Sequence, residues 1–150
     1  MGAAFFYHLT RNPVEATLPL LLEKSLANGW RVAVRVPDAA RRDWLDRALW
    51  QPGEGFLPHG VAGGDHDAAQ PILLTGDAAT NDPACLMTID GASVTAAEVA
   101  SHERTCILFD GHDPAAVQVA RNQWTALTGD GASAQYWSED SGKWVKKAET

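Results

Sequence analysis

The sequence is poor in cationic charge, in cysteine and in long apolar runs, and each shortage excludes something. Its 12 Lys and Arg face 19 Asp and Glu, a formal net charge of −7 across 150 residues. Proteins that track nucleic acid unaided carry a basic stripe, because counterion release needs many cations on one face. Any direct DNA contact here is therefore expected to be local and weak. No segment approaches the ~20 apolar residues of a membrane span. The opening Met1-Gly2-Ala3-Ala4-Phe5-Phe6-Tyr7-His8 has no basic start and too short an apolar run for a signal peptide. The only cysteines, Cys85 and Cys106, each lie in an apolar stretch. They read as buried free thiols of a cytoplasmic protein.

Signatures of chemistry are missing too. No Gly-x-Gly-x-x-Gly follows a strand and no phosphate-binding Gly-x-x-x-x-Gly-Lys-Ser/Thr occurs, which argues against a nucleotide cofactor. Asp65-His66-Asp67 and His112-Asp113 offer metal ligands, but a stable site needs three or four converging from rigid elements. A solvated loop is expected at 65–67 instead. Either cysteine could be paired with a histidine, yet nothing orients such a pair, and a Cys inside an apolar strand is usually inert. His59, in Phe56-Leu57-Pro58-His59, is the most interesting histidine and also reads as a plain loop anchor. No catalytic residue, metal or cofactor is assigned.

What is present is a globular pattern, 45% hydrophobic and 21% charged. Its length is that of one domain, able to bury roughly 70% of its unfolded surface. Residues 3–9 predict a first strand. Asn12 as cap, Pro13 at the first helical position and Glu15 at capping-box spacing open a helix over 13–27. Val14, Leu18, Leu21, Leu22 and Leu26 recur along it, and Gly29 stops it. Residues 31–36 predict a buried strand, and Asp38 opens a second helix to about Leu49, with Trp44, Leu45, Ala48 and Leu49 inward. Strand, helix and strand in this order favour a right-handed crossover and a parallel pair.

Residues 51–70, rich in turn formers, read as a long loop. Strands follow at 71–75, 85–89 and 105–109, with a short helix near 95–101. A last helix runs over 113–128 and is ended by Gly129-Asp130-Gly131. Residues 133–137 and 143–145 read as terminal strands around a turn at 138–142. The expected whole is one α/β domain over 1–150, without internal repeats.

The last helix carries the most information. At ~100° per residue, Ala116, Ala120, Gln123 and Leu127 share a small-residue face suited to packing on a sheet. Val117, Arg121, Trp124 and Thr128 share a second stripe about a quarter-turn away. A guanidinium fork matches a carboxylate in two parallel bonds, and an indole adds rigid contact area. Together they suit a chain's C-terminal carboxylate and its last side chain. Spacing alone equally allows Trp124 to be core and Arg121 a solvated charge.

In these residues the chain resembles the chi subunit of bacterial DNA polymerase III holoenzyme, over nearly its whole length. The likeness runs through Phe5-Phe6-Tyr7, Leu45-Asp46-Arg47-Ala48-Leu49-Trp50 and Phe56-Leu57-Pro58-His59. It continues in Pro71-Ile72-Leu73-Leu74 and Ala120-Arg121 with Trp124, and closes with Tyr136-Trp137 and Gly142-Lys143-Trp144. The Leu-Asp-x-x-Leu-Trp and Phe-x-Pro-His pair at this separation is its most specific part. The resemblance implies a Rossmann-like three-layer sandwich with a mixed, largely parallel sheet flanked by helices, without nucleotide or polymerase activity.

It also implies a replication adaptor that links the clamp loader to single-stranded DNA-binding protein by holding that protein's acidic, Phe-terminated tail. Arg121 and Trp124 match the tail pocket's Arg and aromatic, Trp50 its apolar neighbour and Gly131 the loop after the helix. Arg121 is expected to pair with the terminal carboxylate, while Trp124, Val117 and Trp50 line the pocket. The psi partner is implied to dock on a different face that includes Phe56, with Pro58 and His59 beside it. Basic residues of better-known members appear here as Val117 and Thr125, so a less basic pocket is expected; Lys143, Lys146 and Lys147 are candidate compensation. Two other readings remain open: an enzyme using the 59–67 loop, and a helicase or repair adaptor on the same scaffold.

Overall fold

The computed structural model describes residues 2–50, 57–139 and 144–150. Its strands are β1 (Ala3–Leu9), β2 (Val32–Arg35), β3 (Gly60–Val61), β4 (Ile72–Thr75), β5 (Cys85–Thr88), β6 (Arg104–Asp110), β7 (Ser133–Ser138) and β8 (Val145–Glu149). They form one open sheet in the order β3-β4-β2-β5-β6-β1-β7-β8. Every pairing is parallel except the last, where β8 runs antiparallel to β7. The helices are α1 (Val14–Ala27), α2 (Ala39–Leu49), α3 (Ala96–Ser101) and α4 (Pro114–Gly129).

Strand alternation sorts the helices into two layers. Tyr7 and Leu9 of β1 point to the side where Leu18 and Leu22 of α1 and Leu45 and Leu49 of α2 pack. Ala4 and Phe6 point to the other side, with Val99 of α3 and Ala120 and Leu127 of α4. The central strands β2, β4 and β5 are covered on both faces, as parallel strands between helix layers must be. The architecture is therefore a Rossmann-like α/β sandwich with a mixed, largely parallel sheet. No helix among the described residues is long and apolar enough to cross a membrane.

Buried polar contacts fix the loops at the carboxyl edge. Arg35, 7% exposed at the end of β2, donates to the carbonyls of Asp77 and Ser93 at 2.8 and 2.7 Å. It also grips both oxygens of Glu98 on α3, at 3.1 and 2.6 Å. That guanidinium holds the Glu98 carboxyl below its ordinary value, against the opposing effect of burial. Glu98 meanwhile completes a capping box with Thr95, so one side chain starts a helix and joins it to the sheet. Cys85 and Cys106 are both buried and free.

Five expectations need correction. The Asn12–Glu15 capping box does not form: Pro13 is the N-cap of α1 and no side chain caps it. The backbone N–H of Asn12, with those of Thr10 and Arg11, goes to the carboxylate of Glu139. β1 and β2 are parallel but not paired, because β6 and β5 lie between them. Trp44 is 40% exposed beneath the Arg41 guanidinium, 4.6 Å from its ring centre; only Leu45 and Leu49 face the core from α2. The 51–70 segment contains the short parallel strand β3 and a single 3-10 turn at Asp67–Ala69. Two residues are too few for a period to declare itself, which is why β3 is silent in the sequence. The final strand also sits two residues later than 143–145, and most of the turn before it lies outside the described residues.

Candidate functional site

The closing helix is built to present a mixed stripe. Asp113 caps α4 by accepting from the N–H of Ala115 at 3.0 Å, and Pro114 supplies a first helical position that needs no donor. Ala120 and Leu127 bury the small-residue face against the sheet, and Gln123 ties that face to the carbonyl of Ala92 at 2.9 Å. This sets the helix rotation, and the neighbouring stripe then has to lie along the rim of the layer.

On that rim Val117 and Trp124 are half-buried, while Arg121 is exposed. The indole of Trp124 meets Phe6 edge-on, with centroids 5.3 Å apart, and stands at 6.2 Å and 75° from Tyr136. Phe6 and Tyr136 are register partners on β1 and β7, so the sheet supplies the aromatic floor. The Tyr136 hydroxyl lies 2.8 Å from Nδ1 of His8, and the His8 ring stacks on Phe109 at 5.2 Å. Among the described residues the Arg121 guanidinium has no ion pair or hydrogen bond; its main-chain carbonyl accepts from Thr125. At the far end Gly131 adopts φ of +91° with open space around it. The N–H groups of Gly131 and Ala132 turn back to the Thr128 and Leu127 carbonyls, a left-handed stop that suits glycine.

Chemically this is a rigid, half-wet aromatic surface with one uncommitted planar cation beside it. Such a surface can take an apolar side chain and a carboxylate together. The structure thus brings Val117, Arg121 and Trp124 onto one rim with Gly131 at the helix end. Thr125 is exposed on the same helix, and Lys146 and Lys147 lie on β8 at the sheet edge, where Lys146 pairs with Glu149 at 3.3 Å.

Trp50 is elsewhere. It ends α2, and its ring lies on His59 with centroids 4.1 Å apart. That places it in the α1–α2 layer, across the sheet from Trp124, so it lines no pocket with Val117. The sequence cannot show this, because which side a helix takes depends on crossover topology. Trp50 instead covers the ring of His59, which is buried and so does not lie on the expected second partner face, while Pro58 beside it is half-buried; Phe56 lies outside the described residues, as does Lys143. His59 is 6% exposed, with Nδ1 at 2.6 Å from the Leu57 carbonyl and Nε2 at 3.0 Å from the Asp46 carboxylate. Both ring nitrogens are therefore engaged, Nδ1 within the loop itself and Nε2 holding the loop to α2.

The Asp65-His66-Asp67 loop is similarly occupied, since Asp67 accepts from the N–H groups of Gly63 and Gly64 at 2.8 and 3.0 Å. No cluster of three or more His, Cys, Asp or Glu among the described residues is placed to hold a metal. Sequence reasoning missed Tyr136 and His8 as members of the α4 rim. The alternation Ala134, Tyr136, Ser138 opposite Ala4, Phe6, His8 was the available signal, and it needed the parallel β1–β7 register to be read.

Comparison with known families places most of the chain under a family model. The sequence model described as DNA polymerase III chi subunit, HolC, matches residues 1–135. The match includes α4, Gly131 and the start of β7, and stops before Tyr136, Glu139 and β8. No curated protein matches the chain.

Proposed function

The chain belongs to the DNA polymerase III chi subunit family; on that premise we propose that it is a non-catalytic accessory subunit that docks a partner's tail. The partner is single-stranded DNA-binding protein, and the tail is its acidic, Phe-terminated C-terminus. In this reading the chain joins the clamp-loader assembly to coated single strands in the cytoplasm. A net charge of −7 argues against a broad DNA-tracking surface and fits such an indirect role.

One observation carries the reading: an exposed guanidinium without an ion pair among the described residues, beside a half-buried indole on the same helix stripe. Arg121 takes the terminal carboxylate as a bidentate pair. Trp124, Val117 and Tyr136 take the terminal Phe ring, and Gly131 leaves the chain room to pass the helix end. Trp50, across the sheet, is not part of this pocket. With Pro58 it belongs to a second docking surface, for psi or another clamp-loader subunit, suggested by a Trp50 that is 49% exposed; the His59 ring beneath the indole is buried and supports that surface without being part of it.

Calorimetric titration of the intact chain with an acidic tail peptide, with and without its final Phe, tests the reading. Binding that depends on that Phe is expected; equal affinity for both peptides contradicts it.

A further inference from the structure

β8 divides its charges between the two faces of the sheet, because its pairing with β7 slips by one residue. Ser138 and Trp137 stand opposite Val145 and Lys146, whereas Tyr136 and Gln135 stand opposite Ala148 and Glu149. Lys147 is therefore the extra residue of a β-bulge, set against Tyr136 together with Ala148. A bulge resets the alternation of side chains along its strand. Trp137 and Gln135 are in register with Tyr7 and Phe5, on the α1 side of the sheet, so Lys146 and Glu149 belong to that side. Tyr136 is in register with Phe6, on the α4 side. Ala148 belongs there, and Lys147, one step along the strand from Lys146, is turned the same way.

An ion pair reports the same slip. Lys146 and Glu149 are three residues apart, a spacing that puts side chains on opposite faces of a regular strand. Their Nζ and Oε1 nevertheless meet at 3.3 Å. The carboxylate of β8 is thus taken by Lys146, across the sheet from α4. Lys147 is exposed and has no ion pair among the described residues.

The α4 side of this edge is open, since all of β8 is exposed. Trp124 stands 6.2 Å from Tyr136 on one side. On the other side lies β8, the next strand after β7, about 4.8 Å away. Half-buried Tyr136 is thus the floor of a trough, with Arg121 and Trp124 on its helical wall and Lys147 on its outer lip.

We propose, on the basis of the tail-docking reading, that Lys147 is a second anchor of that pocket and takes a carboxylate from the acidic run preceding the terminal Phe. The two cations divide the peptide between them. Arg121 holds the terminal carboxylate with its planar fork, while Lys147, a point charge on a flexible stem, meets a side chain whose position is less fixed. The bulge keeps Lys147 available by turning it away from Glu149. Lys147 lies beyond the residues matched by the family model.

Calorimetry with the acidic, Phe-terminated peptide compares the intact chain with Lys147→Ala and Lys146→Ala, which remove the same charge from opposite faces. Lys147→Ala is expected to bind about 2- to 5-fold more weakly, the range of one exposed ion pair. Lys146→Ala should bind as tightly as the unmutated chain. The Lys147 effect should shrink between about 0.1 and about 1 M salt, as the screening length falls from about 10 to about 3 Å. It should vanish for a peptide that keeps its Phe but carries Asn and Gln in place of Asp and Glu. Equal losses in the two variants overturn the proposal, as does a Lys147→Ala variant that binds like the unmutated chain, or a loss that persists with the neutral peptide. In each of those cases the pocket itself stands if binding still depends on the final Phe. An unmutated chain that binds equally with and without that Phe removes the docking reading, and this anchor with it.

Discussion

Replacing Arg121 by alanine separates recognition from folding more sharply than any other single change in this molecule. The side chain is exposed and holds no ion pair or hydrogen bond among the described residues, and alanine suits a helix interior at least as well as arginine. Stability should therefore move by no more than about 0.5 kcal/mol. Binding should not escape so lightly. Losing a charge-assisted hydrogen bond costs about 1.5–3 kcal/mol, which weakens the tail complex roughly 10- to 150-fold. Trp124→Ala is the contrast: its indole packs on Phe6 and stands beside Tyr136, so it should cost about 2–4 kcal/mol of stability as well as affinity. Arg121→Lys keeps the charge, loses the planar fork and should fall between the unmutated chain and alanine. Calorimetry with the tail peptide and urea unfolding of the same samples read both quantities. The reasoning fails if folded Arg121→Ala binds normally, or if it unfolds as readily as Trp124→Ala.

Other expectations follow from the same geometry. Trp50→Ala should leave tail affinity unchanged, because the sheet separates it from α4; a tenfold loss by calorimetry would show that the two faces communicate. His59→Ala should stay folded and bind the tail normally, losing about 1–3 kcal/mol in urea unfolding through its buried ring contacts. Arg35→Ala strands the Glu98 carboxylate and the carbonyls of Asp77 and Ser93, and should cost about 3–5 kcal/mol, read from the same unfolding curves. Glu98 and Glu139 both titrate below the ordinary carboxylate value of 4.5. Their contributions are thus complete above the unfolded value and drain away as pH falls through the lower folded ones. Melting temperature should therefore drop steeply on the acid side of 4.5, less so in Glu98→Gln, and a variant profile identical to that of the unmutated chain would rule out the Glu98 share.

Local patterning by itself determined the helices α1, α2 and α4 and the strands of the sheet centre, because a 3.6-residue burial period marks the helices and short continuous apolar runs mark strands covered on both faces. Asp38 and Asp113 even mark their helix starts correctly, since a cap bonds within its own first turn. The α4 stripe was legible for the same reason: residues four apart share a face wherever the helix is placed. Tertiary structure alone decided the rest. Asn12 caps nothing: its backbone N–H goes to Glu139, 127 residues away, and α1 starts at Pro13 without a side-chain cap. Trp50 fell on the opposite face from Trp124 because α2 and α4 cover different sides of the sheet. Tyr136 and His8 became neighbours only through the parallel alignment of β1 with β7. Each of these depends on which strands pair and which side a crossover takes, and those choices follow from the burial of all the strands together, which no single window of residues contains.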